Sequence, residues 1–132
     1  MFILESDDEI EAKAHEDFFN DLKKMLKRLS TKIKYIDKSS IKIDRDYTID
    51  DLPTCMSFRW TVDGKIIDWN FFYNYYGHPS GKPTLNIVLT SPIPNKPKGY
   101  FRTHYDKKFT GKNASVSFIE KVITNFINKG MP

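Results

Sequence analysis

From Met56 to Tyr76 the bulky apolar residues fall on every second position, and the alternation breaks once, at Asp63-Gly64. Met56, Phe58, Trp60 and Val62 alternate with Ser57, Arg59 and Thr61; beyond the break Ile67, Trp69, Phe71, Tyr73 and Tyr75 alternate with Asp68, Asn70, Phe72, Asn74 and Tyr76. Successive side chains of a strand point to opposite faces, so this period of two predicts two half-buried strands, the second running from about Lys65 to Tyr76. Asp and Gly both tolerate positive φ, which makes the break a tight hairpin turn. One face of the pair is expected to be core, and the other polar with two aromatics among its side chains.

The flanking segments carry a different period. Ser6 with Glu9 three residues later forms a capping box, which starts a helix by satisfying its first backbone N–H groups. Ile10, Ala14, Phe18, Leu22, Met25, Leu26, Leu29 and Ile33 follow at spacings of three and four, predicting one apolar face on a helix over 7–36. Its acidic residues crowd the first turns and its basic residues the second half, an order that complements the helix dipole. Those lysines are read as a solvated face. At the other end, Ile119, Val122, Ile123, Phe126 and Ile127 predict a closing helix over 116–129 that Gly130 stops.

Between the helices, Ile41–Asp44, Leu85–Thr90 and Tyr100–Phe109 also read as strands. The last is expected to place Arg102, His104 and Asp106 on one face, and Phe101, Thr103 and Tyr105 on the other. Gly77–Pro83 is a loop, and Ser91–Gly99, with Pro92, Pro94 and Pro97, is a stiff one, because proline fixes φ and lacks an N–H. The predicted fold class is therefore α+β. It has a long N-terminal helix, a central four- to five-stranded, mostly antiparallel meander and a C-terminal helix, with both helices on one sheet face. Phe18, Leu22, Leu26, Trp60, Trp69, Leu85, Ile87, Ile123 and Phe126 are the expected core.

A length of 132 residues suits one domain, 1–132, with no linker or repeat to divide it. Nineteen aromatics, ten Phe, seven Tyr and two Trp, exceed what a core of this size hides, so some rings should reach the surface. Cys55 is the single cysteine, which rules out an internal disulfide and favours a reducing, cytoplasmic setting. Glu5, Asp7, Asp8 and Glu9 at the start are unlike the basic opening of a signal peptide, and no apolar run approaches the roughly 20 residues of a membrane span.

No motif for catalysis stands out. His15 reads as structural, His78 as a solvated loop residue, and neither metal nor cofactor is expected, since one cysteine and three scattered histidines match no zinc spacing. A magnesium site would have to come from Asp44, Asp46, Asp50, Asp51, Asp63 or Asp68, and the cluster from Asp44 to Asp51 reads as turn and solvation residues. The glycines form no phosphate loop. His104, among Arg102, Tyr105, Asp106, Lys107 and Lys108, is the one candidate base of a metal-independent nuclease.

Two binding readings follow. The first is a protein partner, met by the ring-rich strand through Phe72, Tyr73, Tyr75 and Tyr76, because aromatic residues dominate interface hot spots. In general design, though not in sequence, such a chain is like small stoichiometric binders: immunity proteins, antitoxins or phage inhibitors of host defence. The second is nucleic acid. The net charge is +4, and residues 96–112 hold six cations (Lys96, Lys98, Arg102, Lys107, Lys108, Lys112) against Asp106 alone, a local excess of five. Lys98, Tyr100, Arg102, His104, Lys107, Lys108 and Lys112 would neutralise phosphates and stack bases there.

Overall fold

A computed structural model describes residues 7–44, 53–77 and 80–129. The elements are α1 (Asp7–Ser30), β1 (Ile36–Asp44), β2 (Cys55–Val62), β3 (Lys65–Asn74), β4 (Thr84–Pro92), β5 (Phe101–Thr110), a single 3-10 turn at Gly111–Asn113, and α2 (Val116–Lys129). The five strands form one antiparallel sheet in the order β1-β2-β3-β4-β5. Each strand thus lies beside its neighbour in sequence, which is what short connections favour. The architecture is the predicted α+β meander.

The β2–β3 hairpin closes with Val62 opposite Lys65, and Asp63 and Gly64 both have positive φ, 50° and 77°. A turn left-handed at both central residues matches the right-handed twist of the strands it joins. From that closure every cross-strand pair follows, including Trp60 with Ile67 and Phe58 with Trp69.

Both helices cover the same face. Met56, Phe58, Trp60, Ile67, Trp69, Phe71, Leu85, Ile87 and Leu89 come inward from the sheet to meet Phe19, Leu22 and Leu26 of α1 and Ile119 and Ile123 of α2. The rings interlock: Phe18 stacks on Tyr73 at 3.9 Å between centroids, and Phe126 meets Trp69 and Tyr105 edge-on at 5.2 and 5.4 Å. Such offset and edge-on arrangements suit the aromatic quadrupole. Arg28 of α1 ties to Glu120 of α2 at 2.7 Å. All nine expected core residues pack there, Phe126 half-buried and the others buried.

His15 is the most deeply buried polar residue among those described. It is 1% exposed, its Nδ1 donates to the Pro53 carbonyl at 2.8 Å, and its Nε2 accepts the Tyr75 N–H at 3.1 Å. A carbonyl can only accept and an N–H can only donate, so the ring is the neutral Nδ1–H tautomer. It fastens α1 to the entry of β2 and the exit of β3.

Three boundaries differ clearly from the sequence reading. The helix expected to run to Ile36 ends at Ser30, where the Ser30 and Thr31 hydroxyls bond back to the Lys27 and Arg28 carbonyls, 2.7 Å each. Such local bonds compete with helix continuation. Ile33 and Ile36 still pack inward, Ile36 as the first residue of β1 opposite Trp60. The strand expected over Ile41–Asp44 is therefore longer, and the β3 strand expected to reach Tyr76 stops at Asn74. Ser6 of the capping box, His78, and the loop aspartates Asp46, Asp50 and Asp51 lie outside the described residues.

Candidate binding face

With both helices on one side, the other side of the sheet is uncovered by any described element. It carries Asp37 and Lys42 from β1, Ser57 and Arg59 from β2, Asp68, Asn70 and Phe72 from β3, Val88 and Thr90 from β4, and Phe101 from β5. These residues line a cleft of about 580 Å³.

Its centre is polar and ordered. Arg59 makes a two-pronged ion pair with Asp68, Nε to Oδ1 at 2.9 Å and Nη2 to Oδ2 at 3.2 Å, and the hydrogen bond and charge of this partner raise the guanidinium pKa above its ordinary value. The fork geometry orients both side chains as well as pairing their charges. The Asn70 amide donates to the Asp68 and Val88 carbonyls, 3.3 Å each. At the β1 margin an irregularity between Asp37 and Lys42 is bridged by Ser40, whose hydroxyl accepts the Arg59 N–H and donates to the Asp37 carbonyl, 2.6 Å each. Asp37 in turn accepts the Ser39 hydroxyl and N–H at 2.6 and 3.0 Å; the Ser39 contacts, the hydroxyl foremost, hold its carboxyl below the usual 3.8.

The rim is aromatic. Phe101 is 59% exposed and Phe72 37%. Tyr100, 58% exposed, stands beside Phe101 at the β4–β5 turn, with the Lys96 ammonium 6.0 Å from its ring.

The four rings expected to form a partner surface are not on one surface. Phe72 faces the cleft. Tyr73 points the other way into the core, where burial first, and then Tyr75, pushes its phenol above the ordinary 10.0. Tyr75 is half-buried against the core, and Tyr76 is exposed past the end of β3, edge-on to Tyr75 at 4.8 Å. Period two already grouped Tyr73 with Trp69 and Phe71; beyond Asn74 there is no strand for the period to describe.

The basic stretch is also divided. A bulge in β5 leaves His104 unmatched between Tyr105 opposite Leu89 and Thr103 opposite Thr90. Strict alternation fails there, so Arg102 shares its face with Tyr105 and Lys107, while Phe101, Thr103, Asp106 and Lys108 share the cleft side, a correction to the expected pattern. His104 pairs with Ser91, Nε2 to Oγ at 2.6 Å. No carboxylate among the described residues hydrogen-bonds its ring, and Asp106 lies opposite Val88. Lys98 and Lys112 extend the basic line into the turns at either end of β5.

The features that hold the cleft together were not singled out from sequence. The Arg59–Asp68 pair was nonetheless implicit in the hairpin: a two-residue turn at 63–64 sets residue 59 opposite residue 68. Among the described residues no three His, Cys, Asp or Glu side chains converge to hold a metal ion, and no helix is long and apolar enough to cross a membrane. No protein-family model, no curated protein and no solved structure matches the chain.

Proposed function

We infer that the chain is a non-enzymatic binding module that holds a protein partner on the uncovered face of its sheet. The observation that carries this is the Arg59–Asp68 pair at the centre of the cleft. The central cation is already neutralised by a two-pronged carboxylate, and Lys42 is offset by Asp37, so the face is close to neutral and rimmed by Phe72 and Phe101. A phosphate chain needs unpaired cations along its track. A protein surface is met by exposed rings around ordered polar groups. A stoichiometric binder of the inhibitor or immunity type would act in this way.

The test places a photo-crosslinking phenylalanine analogue at Ser57 on the cleft side and, as control, at Lys24 on α1, in cells of the native host. Protein adducts from position 57 alone, abolished by Asn70→Arg and little changed between about 50 and 200 mM salt in lysate, are the expected result. Adducts of nucleic acid, or a steeply salt-dependent shift of labelled oligonucleotides by the purified chain, would overturn it in favour of nucleic-acid binding along the basic β5.

A further inference from the structure

Going beyond the cleft, we propose that the outer edge of β5 is a docking edge for an acidic, extended peptide segment, which adds to the sheet as a sixth strand. β5 is last in the strand order and pairs only with β4 among the described residues. Alternate N–H and C=O groups of an edge strand point away from its one neighbour and can pair with an incoming strand. From Tyr105 to Thr110 the register with β4 is unbroken, from Leu89 opposite Tyr105 to Thr84 opposite Thr110, so this half of the edge is straight enough to template another strand. The bulge at His104 limits the docking edge at its other end.

The cations give the partner's chemistry. Lys107 lies opposite Ile87 and falls on the helix side; Lys108 lies opposite Asn86 and falls on the cleft side; both are exposed. They straddle an edge instead of lining a groove. A nucleic-acid strand would need them on one track. An added peptide strand projects side chains to both faces in alternation, so consecutive acidic residues would meet one lysine on each side. Lysines on an edge ordinarily guard it against pairing. The guard is selective by charge: it repels a second copy of this basic strand, Lys107 and Lys108 against themselves, and attracts an acidic one.

The probe is a fluorescein-labelled octapeptide with a central Glu-Glu pair flanked by Val and Thr, titrated with the full chain at about 50 mM salt. Expected are saturable binding, slowed exchange of alternate amides between Tyr105 and Thr110, and at least about tenfold weaker binding of the same peptide N-methylated at alternate amides. K107E/K108E should lose the Glu-Glu peptide and gain a Lys-Lys counterpart, with an unchanged urea midpoint because both side chains are exposed. Asn70→Arg, which fills the cleft, should leave the edge binding as it was. Absence of binding, equal binding of the N-methylated peptide, or loss with Asn70→Arg would each overturn the proposal. Retention of an oligothymidylate in place of the peptide would assign the edge to nucleic acid and overturn it as well.

Discussion

The two faces of β3 are built from adjacent residues and differ in almost every physical respect. Ile67, Trp69, Phe71 and Tyr73 are buried beneath two helices, whereas Asp68, Asn70, Phe72 and Asn74 face a side that no described element covers. On the first face, order comes from apolar area and ring packing, which is non-directional and tolerates no voids. On the second, it comes from a few directional contacts among Arg59, Asp68, Asn70 and Ser40. A chain that needed only stability could have left these polar positions as scattered lysines. Their arrangement into a near-neutral, ring-rimmed cleft is what supports the proposed binding role.

The largest test of this contrast substitutes neighbours. Trp69→Ala removes a fully buried ring in contact with Phe58, Trp60, Phe71 and Phe126 and should cost about 3 to 5 kcal/mol. Asn70→Ala, one residue along, should cost below about 1 kcal/mol, since only two long side-chain bonds, 3.3 Å each, on the uncovered face are lost. The Trp69 indole N–H has no acceptor among the described residues, so Trp69→Phe should be milder than Trp69→Ala. Urea titrations in which the two alanine variants lay within about 0.5 kcal/mol of each other would erase the distinction between the faces.

The same contrast explains what was legible in the sequence. The core face is written in side-chain type at a fixed period, so Trp60, Trp69, Leu85 and Ile87 could be placed before any coordinates. The hairpin turn was equally plain, because Asp63-Gly64 is a conformational requirement expressed in two residues. Irregularities were not visible. Ile36 and Ile41 both face inward across an odd spacing that the Ser39–Ser40 irregularity absorbs, and His104 shifts the faces of β5 in the same way. A bulge leaves no mark on composition and defeats counting by two. The cleft was missed for a related reason: it comes from cross-strand pairing, Arg59 with Asp68, and only carrying the hairpin register outward would have found it.

A medium-sized effect is expected where a polar group sits on the covered side. His15→Ala leaves the Pro53 carbonyl and the Tyr75 N–H without their partner, each worth about 1 to 3 kcal/mol if water cannot reach it. A total loss of about 2 to 3 kcal/mol in a urea titration is expected, with part of it restored by His15→Gln, whose amide can both donate and accept. A loss below about 1 kcal/mol would show that neither hydrogen bond is shielded from water, and that this end of the covered face is as wet as the cleft.

The smallest effect belongs to an exposed polar group on the open side, and it sharpens the comparison because its environment is mostly local. Asp37 is exposed, and what desolvation it has raises its pKa, against the net shift, so hydrogen bonds rather than burial set its behaviour. The Ser39 hydroxyl and N–H bond the ionised carboxylate, and these bonds, more than the charge of Arg59, lower its pKa from 3.8. Hydrogen bonds to the charged form favour it. A depressed carboxyl pKa contributes stability that is present above the unfolded value of 3.8 and is lost as pH falls through the folded value, so the loss is confined to the acid limb below about pH 4. Carboxyl carbon chemical shifts recorded through an acid titration should show Asp37 with a midpoint below 3.8. Ser39→Ala should move that midpoint upward further than Arg59→Ala does. If Arg59→Ala moved it more, the ion network of the cleft, and not the local turn, would govern this margin of the open face, and Asp37 would join Arg59 and Asp68 as one electrostatic unit of the proposed binding face.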